Sequence, residues 1–276
     1  MTEPLELRCG DRVVGRYVHR PELPGELSPR PYLHPVRTLG GVPVTELMPA
    51  DHAHHLGVSV AVPDVEGHNF WGGRTFVRGQ GPTARDNHGV QRHGGWLRRT
   101  DEGFTEKLSW TAGGRELLHE RRTVDVRRID DTAWALDLTS ALTNTTGRPL
   151  SIGSPATNGR PGAGYGGFFW RAPKDARPPE VFSADADGED AVHGRPADWL
   201  ALAGDRWTLV FAGPDPWFVR TGEYPGVGSS LAARERLALP PAATVTRRIT
   251  TGIADGRLGR DGAAALARAM GGGPGA

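Results

Sequence analysis

The clearest pattern in the chain is an alternation of period two. In Ala133–Thr143, Trp134, Leu136, Leu138 and Leu142 alternate with small or polar residues, the pattern of a half-buried strand. Asn144-Thr145-Thr146-Gly147 follows as a turn. Upstream, Phe104–Thr111 carries Leu108 and Trp110 on one face, and Glu116–Arg128 carries Val124 and Val126 on one face. Gly113-Gly114 between them predicts a tight hairpin. Further strands are expected at Asp11–Val18, Val36–Leu47, Gly57–Val62, Trp199–Ala203, Trp207–Ala212 and Thr244–Ile253, with Gly204-Asp205 as a second hairpin turn.

The only helical pattern is C-terminal. Asp261 is the expected cap, Ala263, Leu266, Ala267 and Met270 form the apolar side, and Gly271 ends the run. Residues 271–276 are expected to be a disordered tail. Two stretches interrupt the strand rhythm. Thr157–Trp170 is rich in glycine and aromatics, and Arg171–Asp198 is polar and proline-punctuated, which predicts an excursion over the surface. Together the elements predict an all-β chain, a large antiparallel β-sandwich forming one domain over 1–276 with a short C-terminal helix.

Composition narrows the function classes. A net charge of +1 provides no strong field for nucleic acid or an anionic membrane. Lys107 and Lys174 are the only lysines, so the basic residues are almost all arginine, a bias that fits a GC-rich genome. Cys9 is the single cysteine, so no intrachain disulfide can form. Met1–Gly10 lacks a basic region followed by an apolar run, and no stretch approaches the roughly 18 apolar residues of a membrane helix. A soluble, cytoplasmic protein is expected.

Candidate chemistry is concentrated in one region. Seven of the ten histidines lie between His34 and His93, three of them in Asp51-His52-Ala53-His54-His55. Imidazole passes protons near neutral pH, binds metals and hydrogen-bonds polar ligands. In an extended strand His52 and His54 would share a face opposite His55. An H-x-H spacing suits a metal, but Val58 and Ser59 stand where double-stranded β-helix metalloproteins carry their carboxylate. A divalent metal would therefore need distant ligands, with His52, His54 and His88 as the set. Asn69-Phe70-Trp71-Gly72-Gly73 has the chemistry of a sugar platform, Trp71 stacking and Asn69 reading hydroxyls, or else of a core tryptophan before a turn. His88 and His93 close a polar stretch that suits a cleft wall or a solvated loop. Asn158 and Arg171 flank the glycine-aromatic segment, which lacks the G-x-x-x-x-G-K-[ST] of a nucleotide loop. Glu223, on a late turn, is a candidate base if the fold brings it over the histidines; Arg220 lies nearby.

Tyr32-Leu33-His34-Pro35, Asp51–Gly57, Asn69-Phe70-Trp71-Gly72 and Gly164–Arg171 resemble a bacterial family of unknown function commonly labelled methane oxygenase PmoA-like. The resemblance covers roughly residues 10–255. The label conflicts with the chain, because that oxygenase subunit is an integral membrane protein. The resemblance implies the galactose-mutarotase-like β-supersandwich and, through pairing with sugar dehydrogenases of the glucose-fructose oxidoreductase type, oxidised sugars as substrates. It makes His52, His54 and His55 motif positions.

The leading expectation is a carbohydrate-active enzyme. His52, His54, His55 and Glu223 would supply acid–base chemistry on a sugar or 3-keto-glycoside. His34, Asn69, Trp71, His88, His93, Asn158 and Arg171 would bind it. The alternatives are an aldose mutarotase or epimerase, a non-catalytic sugar-binding module, and a metal-dependent hydrolase or oxygenase.

Overall fold

A computed structural model describes residues 3–271. Two large antiparallel sheets face each other. The first has seven strands, in the order Leu5–Cys9, Arg12–Val18, Tyr32–Val36, Val58–Ala61, Gly167–Arg171, Gly226–Ser229 and Trp217–Arg220. The second has eight, in the order Glu180–Ser183, Leu200–Ala203, Trp207–Ala212, Thr244–Asp255, Ala133–Asn144, Arg115–Arg128, Gly103–Ala112 and Val90–Arg99. The predicted all-β sandwich with a short C-terminal helix is the fold found.

The alternation explains the packing. In Ala133–Asn144 the even positions Trp134, Leu136, Leu138 and Leu142 are buried in the core between the sheets, against Val58, Val60 and Trp170 of the other layer. The odd positions Ala133 and Ala135 face outward, where only small residues let a helix approach. Helix Arg260–Gly271 covers them with Ala263, Leu266 and Met270. Asp261 sits inside the first helical turn rather than before it, where its charge complements the helix dipole. Gly271 is the last helical residue; positions 272–276 of the expected tail lie outside the described residues.

Some expectations change. Of Val36–Leu47 only Val36 belongs to a strand; the rest is loop, held by an Arg37–Pro43 bridge and by Val44 N–H donating to the Val36 carbonyl. Its polar and proline content (Thr38, Gly40, Gly41, Pro43) breaks the alternation. Within Arg171–Asp198, Glu180–Ser183 joins the edge of the eight-stranded sheet, and Glu189–Val192 forms a helical turn.

A polar network runs through the core between the sheets. Arg122 donates to both Glu120 oxygens at 2.8 Å, to Gln91 at 3.1 Å and to the Tyr17 hydroxyl at 3.1 Å. Tyr17 donates to Glu106, which also meets His93 Nδ1 at 2.5 Å. Trp110 and Ser140 complete the shell of Glu120, each at 2.8 Å. These inward charges share the parity of their apolar neighbours: Glu106 with Phe104 and Leu108, Glu120 and Arg122 with Leu118 and Val124.

Candidate active site

The histidine string is a turn, not a strand. The Leu47–Leu56 bridge closes it, with Leu56 fully buried as an anchor. Inside, His52 N–H donates to the Pro49 carbonyl, His55 N–H to the His52 carbonyl and Met48 N–H to the His55 carbonyl. This geometry brings all three rings together instead of sending His55 to the opposite face. Gly57 then enters the strand Val58–Ala61 at φ +50°; a Cβ there would lie 2.2 Å from the Leu33 carbonyl oxygen, so only glycine fits.

A second turn closes over the first. Asn69 Oδ1 accepts from the Trp71 and Gly72 backbone N–H groups at 2.8 and 2.9 Å, and its Nδ2 donates to the Gly73 carbonyl and Thr75. Gly72 and Gly73, at φ +99° and +68°, pass so near His54 that a Cβ would lie 2.8 Å from its Cβ or 2.9 Å from its Nδ1. Arg30 staples the two turns. Its fully buried guanidinium donates to the His54 carbonyl at 2.7 Å and the Trp71 carbonyl at 3.0 Å, as well as to the carbonyls of Leu27 and Ser28 and the hydroxyl of Ser59. All of these acceptors are neutral, so burial draws its pKa down to about 9 and the cation persists at neutral pH.

The result is a cleft of about 270 Å³ lined by Asp51, His52, His54, His55, Trp71, Arg74, Arg160, Tyr165, Arg220, Glu223 and Tyr224. His52 and His55 stack at 4.6 Å, His54 meets His55 at 4.8 Å, and Tyr224 lies 4.7 Å from His52 and 5.0 Å from His55. Arg171 underlies this group. It holds Glu46 at 2.7 and 2.9 Å, lies 4.7 Å above the Tyr224 ring and approaches His55 Nδ1 at 3.4 Å. A guanidinium there assigns the His55 proton to Nε2. His52 Nδ1 is 3.3 Å from Asp51 Oδ2, and no well-formed hydrogen bond reaches it.

The electrostatics keep the inner imidazoles neutral. Burial, then Arg30, His52 and His88, draw the His54 pKa down to about 3. Burial and the neighbouring histidines and arginines push His55 further down. Burial pushes the Tyr224 phenol up, so it keeps its proton. A pH dependence follows. The folded pKa values of His54 and His55 lie below the unfolded value of 6.5. The stabilisation is therefore whole above pH 6.5 and is lost as pH falls, because the unfolded chain then takes up protons that the fold refuses. Urea midpoints are expected to fall steadily from pH 6.5 toward pH 3, and less steeply in His55→Asn.

Of the other candidate residues, Trp71 lines the cleft but is only 5% exposed, its ring packed on Tyr165 and Phe169 at 4.6 and 4.9 Å rather than open for stacking. Arg171 lies behind the cleft. Asn69 spends its amide on the turn described above. His34 Nδ1 meets Thr45 at 3.0 Å outside the cleft, and His93 belongs to the core network. Asn158 donates to Asp64 and accepts from Arg236, again away from the cleft. His88 lies across the Gly72–Gly73 wall, its Nε2 2.8 Å from the Gly73 carbonyl oxygen. Thus His52, His54 and His88 do not converge, and no group of three or more His, Cys, Asp or Glu among the described residues is arranged to hold a metal ion. Sequence reading missed Arg30, Arg74, Arg160 and Tyr165 as parts of this region. The Tyr165 signal was its place inside the glycine-aromatic segment.

The family model described as a family of unknown function, DUF6807, matches residues 4–268. The chain belongs to DUF6807. A search of curated proteins found no match for this DUF6807 protein. Among solved structures it is similar to the Slr1438 protein from Synechocystis, with 11% identity over 91% of this chain and 95% of that one at a TM-score of 0.43. It is also similar to a heparan sulfate lyase HepC mutant from Pedobacter heparinus, with 12% identity, 62% of this chain and a TM-score of 0.28. The DUF6807 chain spans only 22% of that lyase. Among the described residues no helix is long and apolar enough to cross a membrane.

Proposed function

We propose that this DUF6807 protein is a carbohydrate-active enzyme whose histidine cleft transfers protons on a sugar or 3-keto-glycoside. The observation that carries the reading is the grouping of half-exposed His52, with Asp51 beside it, two imidazoles held neutral by burial, and a protonated Tyr224, all lining one polar cleft. Neutral imidazole accepts a proton, a flanking carboxylate stabilises the resulting imidazolium, and a phenol donates. Arg74, Arg160, Arg220 and Tyr165 in the same lining supply hydrogen bonds for hydroxyls.

In a 3-keto-glycoside the C3 carbonyl acidifies the C2–H bond. His52 takes that proton, the C2 electron pair forms the C1=C2 bond, and the C1–O bond breaks. The departing oxygen takes a proton from Tyr224, releasing an alcohol and leaving an unsaturated 3-keto sugar. Proton return from His52 to Tyr224 resets the site. Water adding across C1=C2, activated by Glu223 at the exposed lip, completes a net hydrolysis. His54 and His55 donate hydrogen bonds to the enolate oxygen at C3.

The purified protein incubated with 3-keto-glucosides is expected to release the alcohol, with or without added divalent metal. Neither elimination nor epimerisation under both conditions would overturn the reading. Anomer exchange of a free aldose without keto-sugar turnover would mark a mutarotase instead. Sugar affinity without turnover, surviving His54→Ala, would mark a binding module.

A further inference from the structure

The wall between His54 and His88 is one residue thick. Gly73 sits against the His54 ring on one side, and its carbonyl accepts from His88 Nε2 at 2.8 Å on the other. Beyond it opens a second, wider hollow of about 690 Å³, lined by Gly25, Glu26, Gly73, Arg74, Ala84, Arg85, Asp86, His88 and Val90. Arg74 lines both spaces, so the hollow adjoins the histidine cleft across that side chain and the Gly73 wall.

The groups offered there are free to bind. Within the described residues no side-chain hydrogen bond or ion pair engages Glu26, Arg85 or Asp86. Arg74 makes only a long 3.5 Å contact to the Pro82 carbonyl. A third hollow, which shares Phe218 with the cleft, differs. Its His193 is fully engaged, Nε2 with the Gly162 carbonyl at 2.8 Å and Nδ1 with Val219 N–H at 3.1 Å. Guanidinium and carboxylate groups beside the apolar side chains of Ala84 and Val90 match a pyranose, which presents hydroxyls at its rim and C–H groups on its face.

Resting on the sugar reading above, we infer that this second hollow is a subsite for the neighbouring unit of the substrate, so that the enzyme acts on glycosides of at least two sugar units, the reacting ring lying at the histidines and the next unit beyond Arg74.

The test compares methyl 3-ketoglucoside with a disaccharide carrying a 3-ketoglucosyl unit linked to glucose. The kcat/KM is expected to be at least about tenfold higher on the disaccharide, equivalent to about 1.4 kcal/mol of added contact. In Arg85→Ala and Glu26→Ala that ratio is expected to collapse toward one. Equal kcat/KM on both probes in the wild type, or an unchanged ratio in both variants, would overturn the subsite. If the wild type turns over neither probe, the reaction assignment fails by itself, and calorimetry decides the subsite. Tighter binding of the disaccharide that is weakened by Arg85→Ala supports it, and equal binding of the two probes overturns it.

Discussion

His52→Ala is expected to slow C2–H removal from a 3-keto-glucoside by about 10²–10⁴-fold, the usual contribution of a positioned general base. The ring is half-exposed in the cleft and makes no hydrogen bond that braces the fold. Its loss removes a stacking partner of His55 and Tyr224, and should lower the urea midpoint less than His55→Ala does. Asp51→Asn is expected to show a smaller loss in kcat, because the carboxylate acts through His52 by stabilising its protonated form. His55→Ala is a different case. His55 is 2% exposed and packed among His52, Phe169 and Tyr224, so both stability and rate should fall.

Arg122→Met is expected to have the largest effect on folding. The guanidinium and the Glu120 carboxylate are 1% and 0% exposed, and Arg122 is the hub that also holds Tyr17 and Gln91. Removing it leaves Glu120 in the core without its cation. Breaking a buried pair from one side costs about 3–5 kcal/mol. The matching change at an exposed pair, Arg177→Met opposite Asp205, is expected to cost about 0–1 kcal/mol. Denaturant titration of both variants separates the two. A double variant, Glu120→Gln with Arg122→Met, should recover part of the loss, since no bare carboxylate then faces the hub.

The strands were legible because burial on one face writes itself as parity. Trp134, Leu136, Leu138 and Leu142 read correctly for that reason, as did the Gly113-Gly114 hairpin, whose glycines take φ +55° and +73°. The same parity held information that residue type concealed. Glu106, Glu120 and Arg122 lie on the inward positions of their strands, but charged residues are read as surface unless the register is followed through them. The cleft was legible in composition and not in shape. Asp51-His52-Ala53-His54-His55 contains no glycine or proline to announce a turn, and the bonds that form it are backbone bonds to Pro49 and Met48. Asn69 has the chemistry of a sugar-reading amide, and the same two acceptor lone pairs serve an Asx turn equally well. Arg30 stands in Ser28-Pro29-Arg30-Pro31, which reads as an exposed loop. Only the fold shows that four carbonyls converge on it.

The proposed reaction begins with removal of the proton next to a sugar carbonyl. Proton removal can be observed without any bond to the leaving group breaking, by following methyl 3-ketoglucoside with the protein in D₂O by NMR. The C2–H signal is expected to disappear at a rate well above the protein-free control, and at the control rate in His52→Ala. Retention of the C2 proton at the control rate with the wild-type protein would contradict it.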